Sequence, residues 1–585
     1  MSFLRACLLG GLGSLVLAPA VALAQAPGEP ALPPDGAGSA ASPTTATVGD
    51  DAHIKELVDR EVARILNERA AKEAADKANE AEAPAAQAQP GNVVGQSGFF
   101  DTRIAFTLTN ENVLVSPGET IPSVPGWRFG VPTTLGTLFF DNYDTRYSGF
   151  ETLSHIVSYR DFHSGHIDAE SALVVRINEL SGTNIQLTDD GSYLAISDWK
   201  DPSHKDPTRV TLVAFPVSAD RFRLGYSYRL SWGGDPEYSR ASSATPGVKL
   251  QYDTDGMYAF VGAKSAVILN QATAEQESAL AALGGAGVDI GKMLRIEVNG
   301  GYFDRGFNQL IDVEDQKVRL YGASGQISLH DGMPLRSSVD YRLYKFNGEQ
   351  VSNLFAPESY PGGFSWLAQS EFTVLGQTLK DPDKTGATRV QTGMAGDINF
   401  RAKLDRFRFQ ADVSYRDLAF ILHSVPSLPT YEDFPDGPTG YKTTADLFAD
   451  VGVTRNWADL LTLGLTAGIE KPATLTSPVG IPGGATGVAG NSTAVIRNDN
   501  VNTVITILPT GESVVPQVAL KGSARIDFGR MYVALFEVYY SHDGNVTTYQ
   551  RVGCAAGQAC PDNPFEYVFT QPNQLGVNAT IQARF

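Results

Sequence analysis

Leu575-Gly576-Val577-Asn578-Ala579-Thr580-Ile581-Gln582-Ala583-Arg584-Phe585 alternates without a break. Leu575, Val577, Ala579, Ile581, Ala583 and Phe585 fall on one face of an extended strand, and Gly576, Asn578, Thr580, Gln582 and Arg584 on the other. A tilted strand needs ~9–11 residues to cross a bilayer, so this stretch is long enough. A soluble sandwich strand can alternate too, but its packing does not call for a terminal aromatic. On this reading the rest of the chain consists of similar strands behind an export signal.

Alternation resumes throughout the chain from Phe99 onward. Arg221 to Trp232 shows it most cleanly, with Phe222, Leu224, Tyr226, Tyr228, Leu230 and Trp232 opposite Arg221, Arg223, Gly225, Ser227, Arg229 and Ser231. Arg406 to Arg416 sets Phe407, Phe409, Ala411, Val413 and Tyr415 against Arg406, Arg408, Gln410, Asp412, Ser414 and Arg416. Leu335 to Leu343 backs an apolar face with Arg336, Ser338, Asp340 and Arg342, and Tyr532, Ala534, Phe536, Val538 and Tyr540 form a further face. Other strands are expected near 100–109, 149–161, 166–178, 208–217, 247–253, 257–268, 291–303, 316–329, 390–403, 443–454, 460–470 and 514–527, with a weaker candidate at Ser365–Leu379. These are about seventeen segments, and single-chain bacterial barrels use even numbers, so about 16–18 strands are expected. Tight turns at Asp527–Arg530, Arg455–Asp459 and Leu404–Arg406 alternate with long connections at 422–442, 471–513 and 543–573. With the last strand running inward, the turns are periplasmic and the long connections extracellular. The alternation breaks between Asp304 and Gln316.

Composition agrees with a large antiparallel β protein. Gly, Tyr and Phe number 58, 22 and 29 in 585 residues, which suits many turns and many aromatic-rich strands. No apolar run beyond the amino terminus reaches the ~18–20 residues of a membrane helix. A formal net charge of -19 argues against nucleic acid as a partner.

Residues 1–24 read as a secretory signal peptide, with Arg5 in the charged region, an apolar stretch from Leu8 to Val21, and Ala22-Leu23-Ala24 before the cleavage point. Leu4-Arg5-Ala6-Cys7 precedes the apolar stretch and contains Arg5, so it is not a lipoprotein box. Residues 25–49, rich in Ala, Pro, Gly and Thr, are expected to be a flexible linker. Residues 50–83 are expected to form an amphipathic, coiled-coil-like helix capped by Asp50 or Asp51 and ended by Pro84, with Ile54, Leu57, Val58, Val62, Ile65 and Leu66 in one stripe. A stripe of about two heptads has three readings: a fraying helix, an association of three chains, or a cell-wall tether. Residues 84–96 are a second linker and 97–585 the barrel. Cys554 and Cys560 are expected to close a small-loop disulfide in an oxidising compartment; a metal pair would need a nearby His, and there is none.

The search for chemistry finds no enzymatic motif. His163 and His166 share an expected loop with Asp161 and Asp168 and read as polar loop residues before metal ligands. Asp381-Pro382-Asp383-Lys384-Thr385-Gly386 lacks the later Glu of a calcium loop and reads as a turn. Neither a Ser–His pairing nor paired acids with a His, as outer-membrane hydrolases require, can be picked out, so no catalytic residue, cofactor or metal is expected. Phe99 follows the linker directly, which leaves no room for the plug domain of a TonB-dependent transporter. The informative constellation is charge on the expected lumen face. Arg221, Arg223, Arg229, Arg295, Arg336, Arg342, Arg406, Arg408 and Arg416 lie there with Asp340, Asp412, Glu297 and Asp527. Such residues either bias ion passage toward anions or brace the wall in Arg–Asp pairs.

The final strand with its terminal Phe585 resembles the carboxy-terminal signature of Gram-negative outer-membrane β-barrels, which is read by the barrel-assembly machinery. By pattern, residues 97–585 resemble porin-like barrels of that class. The resemblance implies an all-β, closed antiparallel transmembrane barrel, preceded by a short periplasmic helix and surrounded by outer-membrane lipid. It also implies passive diffusion of small hydrophilic solutes, often through a homotrimer. A helical segment before the barrel is similar, in layout alone, to phosphate- and polyphosphate-type porins, so no solute is carried over. Two other readings stand beside the porin: a structural or adhesive barrel tethered through its helix, and a polysaccharide-export barrel with a wider basic lumen.

Overall fold

Eighteen strands close into one antiparallel barrel in the computed structural model, which describes residues 94–109, 127–129, 155–179, 186–234, 237–238, 244–270, 275–333, 335, 362–423, 432–435, 441–477, 492–498, 503–529, 531–551 and 565–584. In chain order they are β1 (Val94–Thr109), β2 (His155–Ser164), β3 (Ile167–Glu179), β4 (Tyr193–Trp199), β5 (Arg209–Phe215), β6 (Gly247–Thr254), β7 (Met257–Asn270), β8 (Glu275–Ile290) and β9 (Leu294–Phe307). The ring continues with β10 (Lys317–Asp331), β11 (Phe364–Lys380), β12 (Thr388–Leu404), β13 (Phe407–Arg416), β14 (Asp446–Trp457), β15 (Leu461–Lys471), β16 (Gln517–Phe528), β17 (Tyr532–His542) and β18 (Asn573–Arg584). Each pairs with the next. The ring closes where β18 meets β1, with Asp101 opposite Arg584 and Thr109 opposite Gly576. At that seam Gln582 Nε2 donates to the buried Asp101 Oδ2 over 2.8 Å. Closure leaves the barrel no free edge to pair with another chain.

The period-two sequence sorts side chains between two environments. Leu280, Val261, Ile398, Val451 and Ile581 point outward and are 61–64 % exposed. A continuous apolar belt of this kind would be untenable in water and is the favoured surface against hydrocarbon. Two aromatic bands bound it. Phe162, Tyr252, Phe364, Trp457, Phe528 and Tyr532 are exposed beside the short turns, and Tyr302, Tyr321, Tyr415 and Tyr540 are exposed at the opposite rim. These are the levels of the two membrane interfaces, where amphipathic rings are favoured. Among the described residues no helix is long and apolar enough to cross a membrane.

Short turns at 165–166, 255–256, 291–293, 405–406, 458–460 and 529–531 share one end of the barrel with the longer connection 332–363, while long connections at 216–246, 417–445, 472–516 and 543–572 leave from the other. Part of the loop end is built. Strands 442–444, 473–477, 492–498 and 503–507 form a second sheet. Its Ala473, Leu475, Ala494 and Ile496 cluster with Leu418, Ile421 and Leu422 of the short helix α1 (Leu418–Leu422). Asp417 caps α1 by accepting the Phe420 N–H over 2.7 Å. Strands 547–551 and 565–569 make a separate hairpin.

Several expectations change. The segment Arg221–Trp232 is not a membrane strand, for reasons of packing given below. Ser365–Leu379, the weaker candidate, is the body of β11. Two strands of the barrel were not anticipated. The first is β4, whose seven residues are short for a crossing strand, and the second is β8, whose Ala- and Gly-rich sequence lacks the β-branched and aromatic signature. The broken alternation after Asp304 is a register shift between Asp304 and Phe307, with Gly306 at φ +79°. The expected strand at Leu335–Leu343, beyond Leu335 itself, lies outside the described residues, as do the signal peptide, both linkers up to residue 93, the helix at 50–83, Cys554, Cys560 and Phe585.

Candidate functional site

Between β5 and β6 the chain turns into the barrel. Phe222, Leu224, Tyr226, Leu230 and Trp232 are at most 1 % exposed. They pack on lumen-facing Val174, Val213, Phe260, Phe303, Leu320 and Leu375 of the wall. The clean alternation of Arg221–Trp232 therefore records burial inside the barrel and not contact with lipid. The segment reverses at Gly225, whose φ of +84° suits glycine. Leu224 and Trp232 then exchange two backbone hydrogen bonds of 2.9 and 3.0 Å. The wall makes room for this insert with small residues: a Cβ at Gly301 of β9 would lie 2.7 Å from Leu224 Cδ1, and one at Gly262 of β7 would meet the Phe222 ring. The glycines of β8 accommodate β7 instead, where a Cβ at Gly285 would lie 2.6 Å from the Phe260 ring.

Polar contacts fix the segment along its length. Arg221 donates to Asp190 Oδ2 at 2.9 Å and to the Asp190 carbonyl at 2.8 Å, before β4. Arg223 bonds Asp220 within the segment at 2.7 Å. Gly225 N–H donates to Asn299 Oδ1 at 3.1 Å, and Tyr226 N–H donates to Glu371 Oε1 at 2.9 Å. Arg229 reaches across to the far wall, its guanidinium 3.5 Å from the Phe448 ring centre and 3.7 Å from Glu470 Oε1. The insert thus runs from the β3–β4 connection to β14 and β15, crossing the lumen. At the loop end a second clasp holds it: His423, just past α1, places Nε2 3.0 Å from the buried Glu237 Oε1, and Arg305 donates to the His423 carbonyl at 2.5 Å. Burial pushes the Glu237 carboxyl up, but the adjacent His423, with Arg305 and Lys264, holds it below the usual carboxylate range.

The expected arginines within the described residues fall into three groups. Arg221, Arg223 and Arg229 belong to the insert. Arg295 on β9, Arg408 on β13 and Arg416 at the end of β13 face the lumen from the wall. Arg295 pairs with Asp289 at 2.5 Å, and the fully buried Arg416 bonds Asp446 Oδ2 at 2.7 and 2.9 Å. Arg406 sits in the β12–β13 turn, 3.2 Å from Asp459 of the neighbouring turn. Arg336 and Arg342 lie outside the described residues. Sequence reasoning missed Arg401, Lys249, Lys264, Lys521 and Arg525. The last two were legible, because Lys521, Ser523, Arg525 and Asp527 alternate with Val518, Leu520, Ile526 and Phe528 along β16.

Exposure varies along the lumen. Ser324, Gln326, Ser328, Gln369, Glu371 and Thr373 on β10 and β11 are at most 4 % exposed, and Ser324 and Glu371 among them bond the insert. By contrast Arg408, Gln410 and Asp412 on β13, Thr454 on β14, Lys521, Ser523 and Arg525 on β16 and Glu537 on β17 stay partly exposed. Lys521 lies 3.8 Å from Glu537, and Arg525 2.7 Å from Asp527. At the turn end His163 Nδ1 lies 2.8 Å from Asp168 Oδ1 and His166 bonds the Trp199 carbonyl, so the two histidines diverge. Among the described residues no group of three or more His, Cys, Asp or Glu side chains is placed to hold a metal.

A closed eighteen-strand barrel with a lipid-facing belt between aromatic bands, and a polar lumen crossed by one insert, is the fold of a porin-like outer-membrane barrel. No protein-family model matches the chain, and no curated protein matches it in sequence. Among solved structures it is similar to OccK11 (OpdR) of Pseudomonas aeruginosa, at 8 % identity over 84 % of this chain and 96 % of that one, with a TM-score of 0.36. It is similar to the outer-membrane protein OprD of Pseudomonas aeruginosa at 10 % identity over 84 % and 93 %, TM-score 0.35. It is also similar to OmpT of Vibrio cholerae at 8 % identity over 85 % and 99 %, TM-score 0.32. Likeness at this level carries nothing about solutes, and the fold rests on the strand pairings themselves.

Proposed function

We propose that the protein is a passive outer-membrane channel for small hydrophilic solutes with a mild preference for anions. The observation that carries this is the uneven lumen: the insert buries the wall residues it packs on, and partly exposed polar and charged side chains remain on β13, β14, β16 and β17. On this reading the passage runs beside the insert, lined by Arg408, Lys521 and Arg525 against Asp412 and Glu537, a small excess of cations. Arg221 and Arg223 are braces of the insert. The turn end faces the periplasm, with the amino-terminal segment there, and the loop end faces outward. A trimer joined through Ile54, Leu57, Val58, Val62 and Ile65, a Cys554–Cys560 disulfide, and Phe585 as the assembly signal complete the proposal.

A second reading, a structural or adhesive barrel, is favoured by the sheet and hairpin built on the loop end. Single-channel recording of the purified protein in planar bilayers separates the two. The channel reading expects stepwise ohmic conductance. Intact, heat-modifiable barrels that insert and never conduct would leave the adhesive reading.

A further inference from the structure

Three successive backbone N–H groups at the tip of the insert, those of Gly225, Tyr226 and Ser227, end on two wall side chains. Gly225 uses Asn299. Tyr226 donates to Glu371 Oε1 at 2.9 Å, and Ser227 donates to the other oxygen of the same carboxylate. The returning limb of the insert is tied to the same place. Trp232 Nε1 donates to Ser324 Oγ at 3.1 Å, Ser324 and Thr373 hydroxyls bond at 2.8 Å, and Thr373 donates to Glu371 Oε1 at 3.3 Å. Both limbs of the hairpin therefore finish on one connected chain of hydrogen bonds in β10 and β11.

The choice of residue is informative. A carboxylate offers two acceptor oxygens and no donor, which matches two neighbouring amides. Burying one is costly unless hydrogen bonds satisfy it, and here the insert's own backbone supplies two of them. The turn that presents these amides needs Gly225, where a Cβ would lie 3.0 Å from the Leu230 carbonyl and 3.1 Å from Glu371 Oε1. Apolar packing favours the hairpin inside the barrel, but packing is non-directional and does not fix how far the tip projects.

We propose that Glu371 is the positioning residue of the channel: it pegs the insert's tip across the lumen and so sets the width of the passage along β13 to β17. This rests on the channel reading above. The test compares parent, Glu371→Gln and Glu371→Ala in planar bilayers, reading open-channel noise and the mass cut-off for entry of graded polyethylene glycols. Hydrogen exchange of the Tyr226 and Ser227 amides is measured alongside. Glutamine keeps one acceptor and turns a donor toward the other amide. Noise and cut-off should therefore rise from parent to Gln to Ala, with faster exchange at both amides and an unchanged heat shift of the barrel in SDS. A parent that never conducts, while Glu371→Ala still accelerates exchange, would remove the channel and keep the peg. A conducting parent and a Glu371→Ala variant with the same noise, cut-off and exchange would overturn the peg. Failure of the Gln and Ala variants to assemble would make Glu371 a folding element, which also overturns the assignment.

Discussion

Arg416 and Asp446 show what an ion pair does in this lumen. Both are at most 2 % exposed, and the guanidinium bonds the carboxylate twice. Removing one partner leaves the other charge under-paired in a dry site, which costs up to about 3–5 kcal/mol, whereas replacing both by apolar residues of similar size is often neutral. Asp446→Ala should therefore lower the temperature at which the barrel loses its SDS-resistant mobility, and Arg416→Met with Asp446→Leu should restore most of it. Equal losses in the single and double variants would contradict this. The Glu237–His423 clasp adds a pH dependence. The Glu237 carboxyl is held below the usual carboxylate range. Its contribution is then fully present above that range and fades as pH falls through the depressed folded pKa. Acidification through that pKa should raise open-channel noise in the parent, and Glu237→Gln should show that noise at neutral pH with little further change on acidification. A Glu237→Gln trace as quiet as the parent's at neutral pH would exclude the clasp.

At the scale of elements, alternation was a sound guide to extended structure and an incomplete guide to which medium each face meets. On β18 the outward Leu575, Val577 and Ile581 and the buried Thr580 and Gln582 stand as the sequence implied. On Arg221–Trp232 the same pattern misled, because a lumen filled by an aromatic hairpin is as apolar as a lipid tail. Gly225 was the local warning, since a positive-φ residue interrupts a strand. The Ala/Gly strand β8 was unreadable for the complementary reason: its small residues answer to Phe260 and Tyr258 of β7, a contact only the fold reveals. The lipid face makes a direct prediction. Val451, outward on β14 and 61 % exposed, becomes costly when charged, so Val451→Arg should destabilise the barrel by about 2–4 kcal/mol near mid-depth. Thr454→Arg on the lumen side of the same strand should be nearly neutral. Urea unfolding of both variants in lipid checks the contrast, and equal losses would mean the faces have been exchanged.

For the whole molecule, the proposed channel reading places selectivity beside the insert. On that reading Arg408, Lys521 and Arg525 replace Arg221 and Arg223 as the cations a permeating ion meets. The fold was legible from the last strand and its repeats; the lining was not, because which lumen residues stay wet depends on where the insert lies. A screening length of ~8–10 Å at physiological salt is comparable with a channel radius, so on the proposed reading these charges act on ions in transit and act more strongly at low salt. The most direct measurement is the reversal potential across a KCl gradient for the parent, for Arg408→Gln with Lys521→Gln and Arg525→Gln, and for Arg221→Gln with Arg223→Gln. A parent mildly selective for anions should become cation-selective in the first variant, since Asp412 and Glu537 remain, and should keep its potential in the second. An unchanged potential in the first variant, in channels that still conduct, would contradict the passage assigned to β13 through β17.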